Sequence, residues 1–182
     1  MNDLQVMIEL QRQNRDNLGF IPDSTLRDRY VRAGTYLIST HRTAGKIGFL
    51  LFGAPRRNEC VHIHQTCLQL DHRRRKNAAE LVRRLAAIAE AAGSTEIRLR
   101  CAIDNPANAF WRWIGAELLR TTPPRTPGSR SLNHYAIFLD TNPHPLFCSR
   151  SPLPCIQSAS DFSAQASCLA APSDGSYPLL PG

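Results

Sequence analysis

The chain is short of several features that would each have fixed its class. No apolar run approaches the length of a membrane span. Residues 1–18 are polar and charged where a secretory signal would be apolar. Both absences lead to the expectation of a soluble, cytoplasmic protein. None of the six cysteines forms a C-x-x-C pair, so a zinc framework is not expected. Cys60, Cys67 and Cys101 lie in strand-like apolar runs, where a reduced thiol serves as a small core residue. Cys148, Cys155 and Cys168 fall in the C-terminal tail. A Gly-x-Ser-x-Gly nucleophile turn is absent, and nothing repeats at a fixed period. Acid is also scarce, with 15 Asp and Glu against 22 Lys and Arg. The resulting charge of +7 favours an anionic ligand, either nucleic acid or a polyphosphate.

What is present fits one α/β domain over residues 1–140 with a tail over 141–182. Apolar residues make up 42% of the chain, enough for a core. Residues 4–18 read as a helix, broken by Gly19-Phe20-Ile21-Pro22. Asp23 or Ser24 caps a second helix through Leu26 and Tyr30 to Val31, closed by Gly34. Residues 35–40 and 46–53 read as a hairpin around Gly45, and 60–70 as a long strand. A helix follows with Ala78, Leu81, Val82, Leu85, Ile88, Ala89 and Ala92 on one face, stopped by Gly93. Then come a strand over 96–102, a helix over 106–114 with Pro106 in its first turn, and strands over 116–121 and 132–139. The strand on either side of the long helix implies a parallel pair. From 141 onward Pro and Ser dominate and charge nearly vanishes, the composition of a disordered tail.

The organising stretch is the basic turn between the long strand and the long helix. Arg73, Arg74, Arg75 and Lys76 sit where a helix start leaves backbone N–H groups unpaired. Those donors, the helix dipole and the added charge suit a phosphate, and Ala78 and Ala79 are small enough for close approach. Arg74-x-x-Asn77-x-Ala79 resembles the pyrophosphate signature of the GNAT superfamily of N-acetyltransferases. That signature reads Gln or Arg, two residues, Gly, one residue, Gly or Ala. Arg74 and Ala79 match. Asn77 replaces the glycine, and asparagine is the side chain best suited to the left-handed backbone this position expects. A second segment, Asn105 to Ala116, resembles the family pattern of a strand end in Asn followed by a helix with Ala and an aromatic pair. Trp111 stands where many members carry a tyrosine acid, and indole cannot play that part. Ala116 replaces the usual Phe.

The resemblance covers residues 4–139. It implies a GNAT-type mixed, mostly antiparallel sheet flanked by helices, and transfer of an acetyl group from acetyl-CoA to an amine by direct attack. The sheet would splay between the strand ending near Leu70 and the strand over 96–102. Backbone groups of Leu68, Gln69 and Leu70 would bond the pantetheine arm as an added strand does. A backbone N–H near Leu68 would meet the oxyanion. Asn105, or else Asn108, would bond a pantetheine amide. Asn14, Phe20, Ile21 and Tyr30 would lie on the acceptor wall, with plain packing the preferred reading of Phe20 and Ile21.

An attacking amine must lose a proton, and Glu59, His62 and His64 are the candidate bases. The two histidines share one strand face by alternation. Tyr135 or water is the candidate acid for the leaving thiolate. No metal is expected, since His62 and His64 lack a third ligand. Two other readings stay open: a GNAT-like domain that binds acyl-CoA without catalysing, and a basic nucleic-acid-binding protein, for which the Asn105–Trp111 segment has no use. A homodimer also stays open, and the acceptor amine is not named by the sequence.

Overall fold

The computed structural model describes residues 1–141 apart from Arg125 and Pro127. The tail reading, with Cys148, Cys155 and Cys168, lies outside the described residues. Six strands form one sheet in the order β1-β2-β3-β4-β6-β5. They are β1 (Tyr36–His41), β2 (Gly45–Phe52), β3 (Val61–Leu68), β4 (Glu96–Ala102), β5 (Glu117–Thr122) and β6 (Leu132–Phe138). Every neighbouring pair is antiparallel except β3 with β4, which is parallel. The mixed, mostly antiparallel sheet flanked by helices is the expected class.

The helix α1 (Asp3–Gln13) starts with a capping box: the Gln5 N–H donates to Asn2 Oδ1 at 2.9 Å and the Gln5 side chain accepts from the Asn2 N–H. It stops well before Leu18. Asn14 Nδ2 donates to the Leu10 carbonyl at 2.8 Å, taking an acceptor that the next turn needs. The second helix is composite. A short α2 (Asp23–Thr25) runs into a π-helical stretch, Leu26–Val31, whose wider turn is closed by the Arg32 N–H on the Arg27 carbonyl. Gly34 at φ 66° ends it as expected.

The two sheet faces have separate cores. On one, α1 and the π-helical stretch pack Met7, Leu10, Leu26 and Tyr30 on Phe49, Leu51 and Cys67. On the other lies α3 (Asn77–Ala91), burying Ala79, Leu81, Val82, Leu85, Ala86 and Ala89 against β1 to β4. Ala78 and Ile88 are half-buried on the same face. A short α4 (Ala107–Trp113) follows β4, and Gly115 at φ 85° turns the chain into β5. The strand expected over 60–70 ends at Leu68. Leu70 is 74% exposed and opens a single 3₁₀ turn, Leu70–His72, closed by the His72 N–H on the Gln69 carbonyl.

Candidate active site

The parallel ladder between β3 and β4 is the break in this sheet. It holds only Val61 with Ile97, His62 with Arg98 and Ile63 with Leu99. β3 then runs on to Leu68 and β4 to Ala102 without pairing to each other. The cause lies on the other side of β3. Leu51 of β2 pairs with Gln65 while the next residue, Phe52, pairs with Ile63, so His64 is the extra residue of a bulge. A bulge bends and twists its strand, here carrying the second half of β3 away from β4. The result is a slot whose apex is flanked by His64 on β3 and Arg100 on β4, each the first residue past the last pair. The splay implied by the resemblance is therefore present, and it starts at His64.

The slot has polar walls. The Gln69 N–H donates to the Ile47 carbonyl of β2 at 2.8 Å. By strand alternation the N–H and C=O of Leu68 point the other way, into the slot. The Leu68 carbonyl accepts from Arg73 Nε at 3.2 Å. Gln65 Oε1 and Thr66 Oγ1 are buried on this stretch and have no partner among the described residues.

The N-terminus of α3 adjoins the end of β3. The sequence places the left-handed residue at Asn77; the structure places it elsewhere. Arg74 (φ 58°) and Lys76 (φ 63°) take that conformation, and Asn77 is already helical. Asn77 instead donates Nδ2 to the His72 carbonyl at 3.0 Å, tying the turn to its start. Alternating backbone handedness turns successive N–H groups inward as an anion cradle. Among the described residues no side chain caps α3, which leaves the donors of its first turn available. Arg74 and Arg75 are exposed beside them. Arg73 is differently used: besides Leu68 it bonds Asn14 Oδ1, joining two residues that the sequence assigned to opposite substrates. Ala79 is fully buried, so its small side chain serves the packing of α3 on the sheet.

Across the slot, the candidate amides are already engaged. Asn105 Oδ1 accepts the Ala107 N–H at 2.9 Å, capping α4, and its Nδ2 donates to the Asn17 carbonyl at 3.0 Å. Asn108 Nδ2 donates to the carbonyls of Ala102, Ile103 and Asn105. Its Oδ1 accepts from Asn133 Nδ2 at 3.0 Å and from the Tyr135 hydroxyl at 2.9 Å. Tyr135 is thus a buried member of an asparagine network, 1% exposed. Trp111 is buried in the α3-side core, its ring edge-on to Phe110 at 4.9 Å.

The candidate bases separate cleanly. Glu59 lies in the loop before β3, exposed and 3.9 Å from Arg56. His62 lies within the paired ladder, its Nε2 3.3 Å from Cys60 Sγ. His64 alone sits at the slot apex. Its Nδ1 is hydrogen-bonded to the Tyr30 hydroxyl at 2.9 Å, with the two rings edge to face at 5.6 Å. The residue stays open to solvent on one side, and desolvation of its packed side lowers the His64 pKa to about 4, helped by the charges of Arg29, His62 and Arg100. The imidazole is therefore neutral at physiological pH. Cys67, further along β3, is pushed up to about 11 by burial and stays a thiol. Among the described residues no group of three His, Cys, Asp or Glu is placed to hold a metal ion.

The residues that the resemblance assigns to an acceptor wall divide as well. Tyr30 is buried, and Ile21 packs against the α1-side core, as its packing reading has it. Phe20 is 80% exposed, against that reading. Two residues that the sequence did not single out hold this loop: Gln11 makes a paired exchange with the Ile21 backbone, and Gln65 Nε2 donates to the Gly19 carbonyl at 2.7 Å. With Asn14 on Arg73 and Asn17 on Asn105, the loop is anchored to both walls of the slot. A buried glutamine on α1 was the one available signal.

Comparison with known proteins agrees with this geometry. The family model described as the acetyltransferase (GNAT) family matches residues 6–116. No curated protein matches. Among solved structures, Ard1 from Thermoplasma volcanium is similar with a TM-score of 0.62 at 12% identity, over 75% of this chain and 93% of that one. The ribosomal-protein-S18-alanine N-acetyltransferase from Escherichia coli gives 0.59 at 15%, over 75% and 87%. The NatB acetyltransferase complex bound to CoA and MES gives 0.62 at 15%, over 75% and 95%. The fold is shared with these proteins, and by its sequence the chain belongs to the acetyltransferase (GNAT) family.

Proposed function

We propose that this chain transfers an acetyl group from acetyl-CoA to the nitrogen of an amine acceptor. The observation that carries the reading is the parted β3–β4 ladder with an uncapped, left-handed-entry helix start beside it. Family membership makes an acyl-CoA the natural donor, and a similar structure, NatB, is a complex with CoA. The pyrophosphate would lie on the first N–H groups of α3, with Arg74 and Arg75 supplying charge. The pantetheine arm would lie along 68–70, where the Leu68 N–H faces the thioester carbonyl and stabilises its oxyanion. The Asn105 and Asn108 amides serve the fold, so backbone groups carry the arm.

In the reaction the amine nitrogen bonds to the acetyl carbon, the carbon–sulfur bond breaks, and CoA leaves as thiolate. The amine proton passes to His64, directly or through water. In the tautomer whose Nδ1–H donates to the Tyr30 hydroxyl oxygen, Nε2 carries the free lone pair and is the receiving atom. A weakly basic imidazole suits a proton that becomes acidic only once the carbon–nitrogen bond forms. With Tyr135 buried on Asn108 and Trp111 unable to donate an acid proton, solvent reprotonates the thiolate.

Calorimetric titration with acetyl-CoA, and with desulfo-CoA as the unreactive control, tests the donor half. Saturable one-site binding is expected, and Arg74→Glu should weaken it by about tenfold or more, since it replaces attraction to a phosphate with repulsion. Unchanged affinity in that variant would remove the pyrophosphate from this turn. Thiol release over an amine panel tests the transfer itself. CoA binding without release would make the chain a binding domain only.

A further inference from the structure

The sheet face opposite α3 gathers cations around the slot apex. Along β4 the buried residues Ile97, Leu99 and Cys101 alternate with exposed Arg98 and Arg100. Arg98 stands beside His62 in the parallel ladder. Arg100 stands beside His134 of β6, and Arg120 of β5 faces His134 from its other side. From the helix layer, Arg29 lies 5.8 Å from the ring centroid of Tyr30, the residue that holds His64. Arg98 is neutralised by Glu96 at 2.7 Å. Among the described residues no carboxylate lies within ion-pair distance of Arg29, Arg100 or Arg120. Arg100 and His64 are the first residues past the last β3–β4 pair, and Arg29 reaches the same locus through Tyr30, whose hydroxyl is bonded to His64.

We propose that the acceptor is an amine carrying a carboxylate, which Arg100 and Arg29 bind while its nitrogen lies at His64. This rests on the acetyl-transfer reading above. Unpaired guanidinium groups around a reacting nitrogen repel a polycationic amine and leave strong donors unused. A carboxylate satisfies both at once, and bidentate pairing to arginine fixes where the amine stands. The field of the cluster also raises the local concentration of acidic molecules. The same chemistry is found in an acidic free amino acid and in the N-terminus of an acidic peptide, so both serve as probes.

The experiment compares thiol release by the full chain at saturating acetyl-CoA. The acceptors are glutamate, a peptide beginning Ser-Glu-Glu, its Ser-Gln-Gln counterpart and spermidine. At least one acidic acceptor should exceed the amide peptide and spermidine in kcat/KM by about tenfold, with the gain fading at high salt. Arg100→Gln should remove most of that gain through KM, with the Kd for acetyl-CoA unchanged. Equal or faster turnover of spermidine or the amide peptide overturns the proposal and leaves the acetyltransferase reading standing. Where no acceptor releases thiol, binding of the two fluorescently labelled peptides to the desulfo-CoA-saturated chain decides. Tighter, Arg100-dependent binding of the acidic one supports the proposal, and equal or no binding overturns it. Loss of acetyl-CoA binding itself is a separate readout and counts only against the earlier reading.

Discussion

His64 shows how much a single side chain draws from its neighbours. Among the described residues no carboxylate raises its basicity; desolvation, with the charges of Arg29, His62 and Arg100, holds its pKa near 4. An unfolded histidine titrates near 6.5. Between those values the unfolded chain binds a proton that the folded chain refuses, so this residue makes stability fall as pH drops from about 6.5 toward 4. Above 6.5 its contribution is flat. His64→Gln should therefore lose less stability than the wild-type chain over that interval, read as urea midpoints at stepped pH. The same variant should lower kcat by about a hundredfold if the imidazole takes the amine proton. An undiminished kcat would move the base elsewhere. The sequence displays His62 and His64 as equals, two residues apart on one strand face. What separates them is the bulge, which depends on how β3 pairs with β2 and leaves no mark in local periodicity. For the same reason Tyr30, far away in sequence, could be named for the acceptor wall but not as the partner of His64.

The elements themselves were largely readable, and their ends were not. Apolar runs, alternation and helical spacing locate all six strands and α3: β2 is buried along nearly its whole length, β4 alternates, and α3 has one apolar face. The errors fall where a side chain overrides the pattern. Asn14 stops α1 by bonding Leu10, and the exposed Leu70 belongs to a turn although it continues an apolar run. At the start of α3 the left-handed positions fall on Arg74 and Lys76, against residue preference, while Asn77 ties the turn through its side chain. The slot wall depends equally on a residue with no side chain. Gly48 of β2 pairs with Leu68, and a Cβ there would stand 2.7 Å from the Cys67 carbonyl oxygen and overlap the Leu68 side chain. Backbone cannot yield as a flexible side-chain end can. Gly48→Ala should cost about 1–3 kcal/mol of stability by overpacking, measured by urea unfolding. Because the strain falls on Leu68, acetyl-CoA binding should weaken as well. A variant as stable as wild type and binding equally would show that β3 shifts freely at this point.

At the scale of the whole molecule, the described residues form two cores on opposite faces of one sheet. β6 lies between β4 and β5 and supplies Tyr135 and Ile137 to the α3-side core. The last core residue is Leu139, 5% exposed, whose N–H donates to the Thr95 carbonyl at 2.9 Å just ahead of β4. The slot, the α3 start and the cation cluster all lie on elements that precede it, and the family model ends at residue 116. The composition shifts near 141, where Pro and Ser begin to dominate. A chain ended after Asp140 should therefore unfold in one cooperative transition and bind acetyl-CoA with the full-length Kd. The measurement is paired: thermal or urea unfolding of both chains, and calorimetric titration of both. A cooperative fold that has lost CoA affinity would assign residues beyond 140 to the donor site. Loss of the cooperative transition would assign them to the fold, and the domain would then have to be redrawn to include the tail.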